Sequence, residues 1–156
     1  LKDEFEKNEI NYPILIQGDG PKNDLLEQFK KHGNAVLIGS LSFWEGVDVR
    51  GPQLSLVIID KLPFQSPGDP VFESKIKLLF KEGKNAFITM QLPEAIIRLK
   101  QGVGRLIRDD HDKGVMVICD KRMIEKSYGA KIWKSLPNFK RTRNESAIIN
   151  FLEKLN

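Results

Sequence analysis

One cysteine, Cys119, is all that 156 residues contain. No disulfide framework and no cysteine-built metal cluster can be assembled from these residues. Cys119 closes the apolar run Val115-Met116-Val117-Ile118-Cys119, where a buried, inert thiol is expected. Long hydrophobic stretches are missing too: no run approaches the roughly 20 apolar residues of a membrane span. The opening residues Leu1-Lys2-Asp3-Glu4 lack the pattern of a signal peptide. An initiator methionine is also missing, as expected of a fragment cut from a longer chain. Internal repeats, low-complexity tracts and linkers are absent as well.

What remains is the composition of a soluble globular domain, 40% hydrophobic and 29% charged. The length suits one domain with a sizeable core. A formal net charge of +4 permits a nucleic-acid partner without requiring one.

Short apolar runs alternate with amphipathic segments. Strands are expected at Pro13 to Gln17, Ala35 to Gly39, Leu54 to Asp60 and Val115 to Cys119. Asp19-Gly20-Pro21 leads into a helix with Leu25, Leu26 and Phe29 on its apolar face and Gly33 as its stop. Asp69, ahead of Pro70, is a plausible N-cap for a helix reaching about Phe80. Further helices are expected from near Pro93, over Ala130 to Leu136, and over Glu145 to Leu155; Pro63 to Pro70 is the longest loop-like stretch. Continuous apolar strands separated by helices predict an α/β fold, a mainly parallel sheet with helices on both faces. Ligands of such sheets gather at the carboxyl ends of the strands.

Gly102-Val103-Gly104 begins like a dinucleotide-binding turn, but that turn needs a strand before it and a third glycine. Here Leu92, Ile96, Leu99, Val103 and Leu106 keep a helical period through both glycines, and Ile107 replaces the third. A dinucleotide site is thereby excluded. Arg98, Gln101, Arg105 and Arg108, spaced three, four and three apart, form a second stripe nearly opposite the apolar one. Each glycine costs about 1 kcal/mol inside a helix, and a useful return would be close approach of a backbone or a phosphate. Guanidinium forks bind phosphate in a two-pronged way that lysine cannot; a solvated basic face is the plainer reading. Asp109, Asp110, His111 and Asp112 read as a solvated loop partnering nearby arginines in preference to a metal site.

The second dense stretch, "GSLSFWEGVDVRG" from Gly39 to Gly51, directly follows a strand. Ser40 and Ser42 could donate to phosphate, and Glu45 and Asp48 are three apart. Phe43 and Trp44 either anchor a hydrophobic loop or offer stacking platforms for bases. Packing is the expected role. Acid–base work by the two carboxylates is the third reading.

"SLSFWEGVDVRG" followed by "LKQGVGRLIR" resembles motifs V and VI of the DinG/XPD-like superfamily 2 DNA helicases. "LSLVIIDKLPFQSPGDP" and "GVMVICDKRMIEKSYGAKIWKSLP" look like the bacterial DinG branch. The likeness runs from about Pro13 to Pro137. It implies the second of two RecA-like motor domains, spanning 1–156 here, with motif IV expected just before Leu1. The phosphate-binding G-x-x-x-x-G-K-[ST] loop and the D-E-A-H motif of the first domain are missing from this sequence. Carried over residue by residue, the resemblance makes Arg105 and Arg108 arginine fingers. It puts Gln101, Gly104, Gly46, Asp48 and Glu45 at ATP, and Ser40, Ser42 and Lys61 at single-stranded DNA. ATP with Mg2+ is implied, the metal held mainly by the first RecA-like domain of the same chain. An iron–sulfur cluster would lie outside these residues. The implied setting is cytoplasmic DNA repair or replication. A stand-alone nucleic-acid-binding or regulatory α/β domain without ATPase activity is the alternative.

Overall fold

The computed structural model describes residues 1–41, 43, 49, 53–66, 68–109 and 111–155. Four strands form where the apolar runs lie: β1 (Ile14–Ile16), β2 (Val36–Ile38), β3 (Leu56–Ile59) and β4 (Val115–Ile118). Seven α-helices are present among the described residues: α1 (Lys2–Lys7), α2 (Lys22–His32), α3 (Pro70–Lys81), α4 (Leu92–Leu106), α5 (Arg122–Glu125), α6 (Tyr128–Ser135) and α7 (Glu145–Glu153).

Both pairings are parallel, and the helices between the paired strands supply the crossovers that parallel pairing needs. β1 meets β2 with Ile14 opposite Val36 and Ile16 opposite Ile38. β3 meets β4 with Leu56 opposite Val115 and Ile59 opposite Ile118. The expectation of a single sheet needs correction. Among the described residues the strands form two separate two-stranded sheets, each strand only three or four residues long. Val57 and Ile59 pack into the core, but Ile58 points to the other face and is 61% exposed.

Helix boundaries follow local chemistry. Gly33 ends α2 in the left-handed region at φ 73°, where a residue without Cβ carries no penalty. Asp69 caps α3 by accepting the N–H groups of Val71 (2.8 Å) and Phe72 (3.2 Å). These two bonds, the Phe72 one foremost, hold the Asp69 carboxyl below its ordinary range. Asn144 likewise caps α7 by accepting from Ala147 N. As expected, α4 begins beside Pro93, which sits in its first turn. The helical path starts earlier, through a widened turn at Phe87–Gln91, where a helix can take a residue that cannot donate to the preceding turn.

The apolar stripe of α4 is the centre of the larger core. Leu92, Leu99, Val103 and Leu106 are each at most 2% exposed. The first three join Ile59, Leu62, Met123, Ile132 and Leu136 in one cluster. Burial of each such side chain is worth about 1.5–3 kcal/mol. A smaller core gathers Leu25, Leu26, Phe43 and Val49 with Leu15 of β1 and Leu37 of β2. Phe43 is therefore a packing residue, as expected.

Cys119 corrects another expectation. It lies one residue past the end of β4 and is exposed, although its N–H still donates to the Ile59 carbonyl at 2.9 Å.

Candidate functional site

Of the sequence-marked residues, Ser40 and Lys61 lie just past the carboxyl ends of β2 and β3. At the end of β1, Gln17 receives both the backbone N–H (2.7 Å) and the hydroxyl (2.8 Å) of Ser40 on its Oε1. Ser40 follows β2 by two residues and is exposed; its hydroxyl direction is thus set from the neighbouring strand. Gln17 carries no motif, and only its position just after a strand could have singled it out. Ser42, Trp44, Glu45, Gly46 and Asp48 lie outside the described residues, as does Asp110.

At the ends of β3 and β4 a second cluster forms around Asp120, the one buried charged residue among the described residues. Its Oδ2 accepts the Leu62 N–H at 2.8 Å. Its Oδ1 accepts the Arg122 backbone N–H at 2.9 Å. The Arg122 side chain closes the group, with Nε at 2.9 and 3.0 Å from the two oxygens and Nη2 at 2.6 Å from Oδ2. These guanidinium bonds chiefly hold the Asp120 carboxyl well below the usual carboxylate range; burial opposes them, and the Leu62 and Arg122 N–H groups add to them. The same hydrogen bonds raise Arg122 further. Lys61, exposed, precedes Leu62 by one residue.

Helix α4 carries the third group. Gln101 is exposed and Arg105 half-buried, on the side away from the buried stripe. A Cβ at Gly104 would meet no atom within 4 Å, so the helix surface there is open to approach. Two members of the expected basic stripe behave differently. Arg98 turns toward the loop after β3, its Nη1 donating to the Pro63 carbonyl at 3.4 Å. Arg108 is not on the helix at all: α4 ends at Leu106, and Ile107 is extended at φ −126°. The turn beyond holds the chain after that break. Asp112 Oδ2 accepts the backbone N–H of Arg108 at 2.9 Å, and Asp109 Oδ1 accepts those of His111 and Asp112. The acidic cluster thus serves its own backbone, and among the described residues no group of three His, Cys, Asp or Glu is arranged to hold a metal.

A surface cleft lined by Lys2, Phe5, Glu9 and Tyr12 lies on α1 and the approach to β1; none of the motif residues lines it. No helix among the described residues is long and apolar enough to cross a membrane.

Residues 1–139 match the family model described as the helicase C-terminal domain. The chain belongs to the helicase C-terminal domain family. This helicase C-terminal domain is 51% identical over 150 residues to the ATP-dependent DNA helicase YoaA of Haemophilus influenzae, covering 96% of this chain and 23% of that protein. It is 54% identical over 143 residues to the protein of the same name in Escherichia coli, covering 92% and 22%. The ATP-dependent helicase DinG of Mycobacterium tuberculosis shares 39% over 152 residues, covering 97% and 23%. The domain thus spans less than a quarter of the length of the curated relatives it matches. The DinG-like resemblance read from "SLSFWEGVDVRG" and "LKQGVGRLIR" is confirmed, and nothing in the relatives favours a stand-alone regulatory domain.

Proposed function

We propose that this chain is the second RecA-like motor domain of an ATP-dependent DNA helicase of the DinG/XPD type, acting with a first RecA-like domain supplied by the same longer protein. The observation that carries the reading is the end of α4. Its apolar stripe anchors the helix in the core, while Gln101, Gly104 and Arg105 stay on the other side and Arg108 follows on an extended break.

In this proposal Arg105 and Arg108 reach a γ-phosphate bound mainly by the first domain and neutralise charge developing there, a contribution of roughly 10³–10⁵ in rate. ATP with Mg2+, when bound, supplies the phosphoryl group and the free energy; the Mg2+ ligands belong to the first domain. The open surface at Gly104 and two guanidiniums fit a polyphosphate. Gln101 senses the nucleotide, and the resemblance assigns Gly46, Asp48 and Glu45, outside the described residues, to nucleotide binding as well. Ser40, Ser42 and Lys61 contact phosphates of single-stranded DNA, Ser40 exchanging the hydroxyl bond it gives Gln17 for one to a phosphate oxygen. Closure of the two domains around ATP and reopening after hydrolysis steps the protein along the strand.

ATP hydrolysis by the full-length protein, measured with and without single-stranded DNA, tests the reading. Hydrolysis stimulated by the strand is expected. A full-length protein whose hydrolysis ignores DNA contradicts it.

A further inference from the structure

The loop leaving β3, residues 61–66, is held at three places. The Leu62 N–H donates to Asp120, and the Pro63 carbonyl accepts from Arg98. The Phe64 ring packs against Phe87 (5.4 Å) and Tyr128 (5.8 Å), with the Arg122 guanidinium 5.1 Å from its centroid. Asp120 and Arg122 therefore act on the loop at two points, through its backbone at Leu62 and through the face of Phe64. An ion pair in a buried setting adds little net stability over apolar residues of the same volume. It does impose a single geometry on the groups that satisfy it. The group whose geometry is imposed here is the backbone next to Lys61, an exposed cation at the carboxyl end of β3. A lysine bound only through its flexible stem is a poor fixed point; pinning the adjacent peptide removes the backbone part of that freedom.

We infer that Asp120 and Arg122 are positioning residues for nucleic-acid binding, a two-residue clamp that sets the 61–66 loop so that Lys61 meets a phosphate of a single strand. The inference rests on the helicase reading above. It adds two residues that touch neither nucleotide nor DNA and act through Leu62 and Phe64.

The test uses the full-length protein, with oligothymidylate as probe and ATP hydrolysis as readout. Arg122→Lys keeps the charge and loses the fork. It is expected to raise the half-saturating oligothymidylate concentration about tenfold, with kcat nearly unchanged. Lys61→Ala should give the same shift, and the double variant no more than either, since both remove one contact. Each should also flatten the dependence of log affinity on log salt by about 0.7, the share of one single-strand phosphate. Asp120→Asn, of the same shape without the charge, is the second variant and is expected to behave like Arg122→Lys. Faster hydrogen exchange of the Leu62 amide in both clamp variants checks that the loop itself was released. A fall in kcat with unchanged half-saturation, or shifts that multiply in the double variant, overturns the positioning role while leaving the helicase reading standing. A wild-type protein indifferent to oligothymidylate overturns both.

Discussion

Asp120 has two kinds of donor on one carboxylate, a guanidinium fork and two peptide N–H groups, and its side chain is 5% exposed. Its carboxyl titrates below the usual range in the folded protein. A depressed folded value means that its contribution to stability is present in full above the unfolded value of about 3.9 and is lost as pH falls below it toward the folded value. Asp120→Asn should therefore cost about 2 kcal/mol in denaturant melts near neutral pH, the scale of hydrogen bonds to a charged group. The gap to wild type should narrow as the melts are taken below about pH 4. A gap that stays constant across that range would show that the charge of Asp120 is not what the fold uses. Arg122 is 38% exposed, so solvent screening already limits the worth of its charge, and the geometry of the fork matters more.

Two glycines separate packing from function at the level of the helix. A Cβ at Gly129 would clash with the Met123 backbone carbonyl, so α6 can lie this close to α5 only because that position is bare. Gly129→Ala should destabilise by about 1–3 kcal/mol in denaturant melts. Gly104 is the opposite case, with open space where its Cβ would be. Gly104→Ala should stabilise the chain by about 0.4–1 kcal/mol and yet slow ATP hydrolysis by the full-length protein. A stabilised variant with undiminished hydrolysis would leave the glycine at that position without a functional reason.

The same elements show what a sequence makes visible. The stripe Leu92, Ile96, Leu99, Val103 and Leu106 is legible because burial imposes the helical period locally, and every member is buried. The caps at Asp69, Asn144 and Gly33 work within a few residues of chain, and those at Asp69 and Gly33 can be read directly. The end of α4 is not legible. Leu106-Ile107-Arg108 has no glycine or proline, and the break is held by Asp112 four residues beyond Arg108. Neither the Asp120–Leu62 bond nor the Gln17–Ser40 pair, spanning 58 and 23 residues of chain, leaves a local signal. Each exists because parallel pairing brings distant strand ends together. Among the described residues the strands reach only three or four residues and pair as two sheets, which an apolar run alone does not disclose.

At the scale of the whole molecule, the domain matches relatives of which it spans 22–23%, and the proposed finger role of Arg105 and Arg108 requires a phosphate presented by another domain. Ile58, 61% exposed on the outer face of β3, is a core-type residue on a side left open among the described residues. The 156-residue chain alone should show no ATP hydrolysis above a buffer blank; measurable turnover by it would mean that a complete nucleotide site is present in these residues. The most direct measurement of the central claim is single-strand-stimulated ATP hydrolysis by the full-length protein carrying Arg108→Ala, with nucleotide affinity measured alongside. A fall in kcat of about 10³ is expected, with nucleotide binding largely retained. Hydrolysis close to wild type would contradict the assignment of Arg108 as a finger reaching the phosphate across the domain cleft.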